Sequence, residues 1–320
     1  MCVYGPDVVH LGAGEYVALE DNARVPSGVA YSEAVRRAGL AALPEIFEPY
    51  NISGIYGYYS ALRSALAAAA PTDTEDPGLA VVTGGPGDPA FFEHERIAAT
   101  CGLKLLTVGE VGLRGGAVVS RIDGSRVDVI YRRFDDDLLR TDLAELSDAY
   151  LKGLVNIVNA PGVGIADDKG VFPYVPAMIE RYLGEAPILK NAPTLSLLEP
   201  EGRNEALERL PELVLKPREG FGAKGLVLGP EADAETISQA RHAVRQNPAA
   251  WVAQECLDFS THVLDESSEA GEAFVDLRAF VLPEPGYVMP GGLTRVARAG
   301  TRIVNSSAGG SFKDTWVLED

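Results

Sequence analysis

Cysteine, histidine, methionine and tryptophan are scarce, at 3, 4, 3 and 2 residues in a chain of 320. Cys2, Cys101 and Cys256 stand far apart and odd in number, so neither a disulfide framework nor a zinc cluster is indicated, and a reducing cytoplasm fits. His10, His94, His242 and His262 lie in no nucleophile motif, which leaves a Ser-His-Asp mechanism without a candidate base. Basic residues are also few: 28 Lys and Arg against 46 Asp and Glu give a formal net charge of −18. That balance argues against nucleic acid, whose binding relies on neutralising phosphates, and mainly supports solubility. No apolar run approaches the roughly 20 residues of a membrane-spanning helix. Residues 1–7 show neither a basic n-region nor an apolar h-region, so they read as no secretory signal. Neither repeats nor low-complexity tracts occur. What remains is ordinary for a globular protein, 46% hydrophobic and 23% charged, and long enough for two or three packed units.

The first informative stretch is Tyr16–Gly28. An apolar strand runs into Glu20-Asp21-Asn22, and strand alternation sends Glu20 and Asn22 to one face. A carboxylate and an amide oxygen so placed form an all-oxygen half-site suited to Mg²⁺. Asp7, on the preceding strand of a hairpin turned at Gly12–Gly14, is a candidate third ligand. On these residues alone, a surface hairpin with a capping Asp and a Pro26-Ser27-Gly28 turn is the preferred reading.

A second stretch lies almost two hundred residues on. Glu212–Leu228 delivers Lys216 at a strand end, then crosses a loop containing Gly220, Gly222 and Gly225. Glycines let backbone N–H groups approach an anion closely, so such a loop can fold over phosphates. It is neither a Walker loop nor a dinucleotide fingerprint, and an ordinary flexible loop reads equally well. Ala250–Leu257 is a strand ending in Gln254 and Glu255, either fit for a purine edge or capped by solvent.

Between these stretches the chain alternates. A helix is expected over Ser32–Leu40 and another within residues 51–70, and the polar, proline-flanked Ala70–Gly78 is the clearest linker. Leu79–Thr83, a helix from Phe92 and Leu103–Val108 form a β–loop–α–β pattern and imply a small parallel sheet. Its Gly84-Gly85-Pro86-Gly87 turn lacks dinucleotide spacing, and proline removes a donor. A hairpin near Gly116–Ser120 and a strand Val127–Tyr131 follow. Residues 150–185 read as helical around a loop at Gly162–Asp168, Asp233–Gln246 as a helix, and 273–320 as strand-rich. Of the run Asp135-Asp136-Asp137, Asp135 and Asp137 share a strand face; a solvated cap or a substrate-amine contact is the reading for it.

Taken together, Glu20–Gly28, Val127–Asp136, Gly162–Lys169, Val288–Arg295 and Gly309–Val317 resemble the ATP-grasp superfamily, specifically its circularly permuted branch. Ordinary members end on Asp…Glu-x-Asn, whereas here that hairpin comes first. The resemblance covers nearly the whole chain. It implies an α/β (α+β) fold, with 1–75 as the permuted part carrying the metal hairpin. It makes 76–150 a small Rossmann-like pre-ATP-grasp domain and 151–320 the remaining ATP-grasp subdomains. It further implies Mg²⁺ held by Asp7, Glu20 and Asn22, and ATP held by Lys169, Lys216, Gly220, Gly222, Gly225, Gln254, Glu255 and Leu257. Arg278, Arg295 and Asn305 would face the reacting carboxylate and phosphoryl group, with Arg24 and the Gly309-Gly310 turn nearby.

The implied activity is ADP-forming ligation of a small-molecule or peptide carboxylate to an amine, as in glutathionylspermidine synthetase-type proteins. A non-catalytic or partner-dependent ATP-binding subunit is the alternative. Family members usually carry a sizeable segment before the hairpin, and this chain starts almost at it. A partner polypeptide or second copy supplying that segment, a misassigned gene start and a genuinely short form are the readings left open.

Overall fold

The structure is a computed structural model that describes residues 2–71, 75–220, 225–263, 271–298, 300–304 and 309–319. Three sheets carry the architecture. The largest has seven strands in the order Ser311–Lys313, Leu293–Val296, Glu272–Arg278, Asp7–Gly12, Glu15–Glu20 and Lys190–Asn191, with Thr261–Val263 also paired to Glu272–Arg278. Neighbours are antiparallel except at Lys190–Asn191. The expected N-terminal hairpin is present, and it occupies the middle of this sheet rather than the surface.

The second sheet is parallel and four-stranded: Lys104–Thr107, Leu79–Thr83, Val129–Arg133, Asn156–Val158. Both central strands are buried throughout, as apolar strands covered on two faces must be. Alternation divides their side chains between two cores. Val81, Val129 and Tyr131 pack with Tyr58, Leu62 and Leu66 of the helix Gly57–Ala68. Ala80, Val82 and Ile130 pack with Leu139, Leu143 and Leu146.

The third sheet is antiparallel, in the order Thr194–Ser196, Trp251–Glu255, Leu213–Pro217, Val227–Leu228. Leu213, Leu215 and Ala253 bury one face against Ala206, Ile237, Ala240 and Val244 from the helices Pro200–Arg209 and Ala234–Gln246, and against Leu210, which caps the first of them. Asp233 caps the second helix by accepting the Thr236 N–H at 2.8 Å.

Two expectations change. Residues 150–185 are not helical throughout: the helix Ala144–Leu151 ends at their start, Asn156–Val158 is the fourth parallel strand, and α-helix returns only at Val175–Leu183. Pro161, Gly162 and Gly164 break the helical continuity, and Val155-Asn156-Ile157-Val158 has the β-branched character of a buried strand. The aspartate run also differs. Its strand stops at Arg133 and Asp136–Arg140 forms a short helix, so Asp135 and Asp137 share no strand face. Acidic residues suit that first turn, where helix N–H groups point outward.

Candidate active site

Strand register assembles the charged centre. Asp7 lies opposite both Glu20 and Arg278, and Asp276 lies opposite Arg295. Residues opposite one another on neighbouring strands leave the same face, so these side chains meet. Arg278 grips Asp7 with Nε on Oδ1 at 2.6 Å and Nη2 on Oδ2 at 2.8 Å. Arg295 donates from Nη2 to Asp7 Oδ2 at 2.7 Å and pairs with both oxygens of Asp276 at 2.8 and 2.5 Å. Asp7 is 1% exposed. Burial opposes its charge, but Arg278 and Arg295 together outweigh burial and hold the carboxyl well below its usual range. For Asp276 burial outweighs the pull of Arg295, and its carboxyl is pushed up to about 6.

Glu20 faces this cluster from the hairpin and pairs with Lys169 at 3.3 Å. Asn22 donates from Nδ2 to the Gly5 carbonyl at 3.0 Å; its amide oxygen has no hydrogen-bond partner among the described residues. Glu20 and Asn22 thus offer hard oxygen donors of the kind Mg²⁺ takes, with Asp7 directly opposite Glu20. The donor set fits such an ion. Both oxygens of Asp7 are engaged by arginine, so Asp7 joins only by exchanging a guanidinium.

The loop at Asp167–Lys169 is a hub, because three consecutive residues tie the end of the hairpin to the end of the Lys216 strand. Asp167 accepts the backbone N–H groups of Ala23 and Arg24, fixing the chain just past Asn22. Asp168 receives the fork of Arg218, from the end of the Lys216 strand, with Nε on Oδ1 at 2.9 Å and Nη2 on Oδ2. Lys169 reaches Glu20 and, at 3.5 Å, the Gly220 carbonyl. A Cβ at Gly170 would sit 2.2 Å from Arg218 Nε, so a side chain here would displace the guanidinium from Asp168.

Lys216 is buried and donates to Gln254 Oε1 at 2.6 Å, and burial lowers its affinity for a proton. The amide nitrogen of Gln254 bonds Thr194 Oγ1 at 2.9 Å and the Leu19 carbonyl at 3.2 Å, which ties the third sheet to the hairpin. Sequence placed Gln254 and Glu255 together at an adenine edge, but their side chains part. Gln254 holds Lys216, and Glu255 pairs with Arg209 at 2.8 Å. Leu257 packs beside Val9, Val17 and Ala192, and its carbonyl accepts Arg302 Nη1 at 3.2 Å. Gly220 and Gly225 have positive φ, at 110° and 75°, where L side chains are strained. Gly222 and Asn305 lie outside the described residues.

Other members were not legible beforehand. Arg132 and Arg133 are fully buried, as is Glu93. Arg132 bonds the carbonyls of Asn159 and Ala160 at 2.7 and 3.2 Å and also Asp136. Asn159 in turn accepts the N–H groups of Cys2 and Val3. The one signal in the sequence was a pair of arginines closing an apolar strand, an expensive arrangement unless each finds fixed acceptors.

The model of the family described as circularly permuted ATP-grasp type 2 matches residues 1–297. The chain belongs to that family. The permuted ATP-grasp fold expected from the motifs is therefore present, with its mixed α/β build.

A protein of Frankia casuarinae, whose name carries glutamate–cysteine ligase 2-2 as a provisional assignment, is 43% identical over 98% of this chain and 38% of its own. An uncharacterised protein of Mycobacterium tuberculosis (strain H37Rv) is 41% identical over 99% of this chain and 60% of its own. The chain thus spans well under two thirds of the length of these relatives. Among solved structures, the apo form of a glutathione synthetase-like effector from Globodera pallida matches 99% of this chain and 75% of its own. Its TM-score is 0.61 at 13% identity, a likeness of fold.

Proposed function

We propose that this ATP-grasp chain is a Mg²⁺-dependent, ADP-forming ligase joining a carboxylate to an amine. The observation that carries the reading is the convergence of Lys169, Lys216, Arg278 and Arg295 upon Asp7, Glu20 and Asp276, four cations against three carboxylates in a strongly acidic chain. Phosphoryl transfer is mainly positioning and charge neutralisation, and this cluster supplies both.

A substrate carboxylate oxygen attacks the γ-phosphorus of ATP, the bond to the bridging oxygen breaks, and ADP leaves. The amine then adds to the acyl carbon and expels inorganic phosphate, losing its proton. Lys169 and Lys216 hold phosphate oxygens as point charges, and Arg278 and Arg295 hold the carboxylate and the transferred group through planar forks. A bound Mg²⁺, held by Glu20 and Asn22 with Asp7, would neutralise the phosphates. Three free cysteines suit a reducing cytoplasm. No helix among the described residues is long and apolar enough to cross a membrane.

The Frankia relative's name describes the same bond, a glutamate carboxylate joined to a cysteine amine. That name covers a chain of which the matched part is 38%, so glutamate is a first substrate to try and no more. A second reading, a non-catalytic or partner-dependent ATP-binding subunit, draws on Asp7, whose two oxygens are both taken by arginine. The test is ADP release with glutamate and other amino acids, hydroxylamine serving as the amine. Hydroxamate formed in step with ADP supports the ligase. Nucleotide binding with no ADP across the panel moves the conclusion to the second reading.

A further inference from the structure

The strongest unassigned feature is the buried pair Glu93–Arg133, whose side chains are fully covered and lie 2.9 Å apart. Both belong to the parallel-sheet unit: Arg133 ends the strand Val129–Arg133, and Glu93 sits in the helix Phe91–Cys101. Neither faces the charged centre. Both instead grip the segment that follows the Glu20-x-Asn22 hairpin. Arg133 donates from Nη1 to the Pro26 carbonyl at 2.8 Å and from Nη2 to Ser27 Oγ at 2.5 Å. The second oxygen of Glu93 accepts the N–H groups of Gly28 at 2.7 Å and Ala30 at 3.1 Å. From the other side Gly28, at φ 130°, is packed so closely that a Cβ would sit 2.9 Å from Leu293 Cδ2 and 3.1 Å from Phe280 Cζ.

That clamped segment carries one contact to the charged centre: the Ser27 carbonyl accepts Arg278 Nη1 at 3.1 Å. Arg278 meets Asp7 along one edge only, through Nε and Nη2. Two bonds along an edge leave the planar guanidinium free to tilt about it, and a third bond on Nη1 removes that freedom. Three of its five N–H groups are then used, and two remain for an incoming anion.

We propose that Arg133, backed by Glu93, is a positioning residue for Arg278 and acts through Ser27. The parallel-sheet unit thereby sets the plane in which the arginine meets an anion. Only the kinetic part of the test rests on the ligase reading.

Arg278 Nε–H is observed by ¹⁵N NMR in wild type, Ser27→Ala and Arg133→Lys, with Arg278→Lys to assign the signal. Its exchange with water should quicken about 10-fold in both variants, because the Ser27 carbonyl that receives Arg278 Nη1 loses the Arg133 grip that fixes it. The melting midpoint of Ser27→Ala should stay within about 3 °C of wild type. For ligase turnover, Ser27→Ala should lower kcat about 10-fold with KM for ATP within twofold, because misplacing a reacting group costs rate rather than nucleotide affinity. Added to Arg278→Lys, Ser27→Ala should cost less than about twofold further. An Arg278 signal unchanged in both variants overturns the proposal, and so does a kinetic loss that multiplies fully in the Arg278→Lys background. A changed signal in a protein that never turns over upholds the positioning role and sinks the ligase reading instead.

Discussion

Two pairs of arginines, one at the end of the strand Val129–Arg133 and one shared between the neighbouring strands Glu272–Arg278 and Leu293–Val296, are held by different kinds of acceptor. Arg132 and Arg133 are wholly covered and spend most of their donors on neutral groups: the carbonyls of Pro26, Asn159 and Ala160 and the hydroxyl of Ser27. Arg278 and Arg295, 14% and 13% exposed at the side chain, are held chiefly by Asp7 and Asp276. A backbone carbonyl cannot leave without unfolding its loop, whereas a side-chain carboxylate can trade a guanidinium for another cation while the arginine takes another anion. The first pair is a brace and the second is exchangeable, though both look alike as buried arginines.

The sharpest way to break that comparison is to remove a brace. Arg133→Ala leaves Glu93 charged and fully buried, so about 3–5 kcal/mol of stability should be lost, read by denaturant unfolding. A loss near 1 kcal/mol would put Arg133 in the same class as an exposed pair.

A second test uses acid. His94 is buried against this unit, its Nδ1 2.8 Å from Thr83 Oγ1, whose oxygen also accepts the Gly85 N–H. Burial, reinforced by the Arg133 guanidinium and opposed by Asp88, lowers its pKa from 6.5 to about 4. The unfolded imidazole takes a proton below about 6.5 while the folded one resists until about 4, so the unfolded state binds more protons in that window. Stability should therefore fall by at most about 3 kcal/mol between pH 6.5 and 4. His94→Gln should flatten that slope. An equal slope in the variant would assign the acid sensitivity to carboxylates elsewhere.

The exchangeable pair belonged to the part of the site that was legible, and the brace did not. Glu20, Asn22, Lys169 and Lys216 stood in recognisable strings, and the hairpin followed from alternation and the Gly12–Gly14 turn. The helix over residues 233–246 also followed, from Asp233 and a run of helix formers. Arg133 acts on Pro26 and Ser27, 107 and 106 residues away, and no local periodicity encodes such a contact. Asp168 and Arg218 are 50 residues apart, and nothing local to either signals the fork between them. Asn156–Val158 escaped because three residues are too few to show a period.

If the second pair is exchangeable, ligand should register as stability. Saturating Mg²⁺ with a non-hydrolysable ATP analogue, at about a hundred times its dissociation constant, should add roughly 2.7 kcal/mol. Glu20→Ala removes one oxygen donor and the partner of Lys169, so most of that gain should vanish, as read by the shift in melting midpoint. A full shift in the variant would move the ion away from the hairpin.

The smallest effect should come from a third kind of arginine. Among the described residues Arg209 is held only by carboxylates, Glu205 at 2.7 Å, Glu212 at 3.1 Å and Glu255 at 2.8 Å, and it is partly exposed to water. Solvent screens such pairs, so Arg209→Ala should move the melting midpoint by no more than about 2 °C. Nucleotide affinity is the more telling reading, because this change frees Glu255. If the Glu255 side chain takes no part in holding the purine, affinity for the ATP analogue should stay within about twofold. A larger change would mean that Glu255 swings to the nucleotide once released. Arg209 would then join Arg278 and Arg295 as an arginine whose carboxylate partner has a second use.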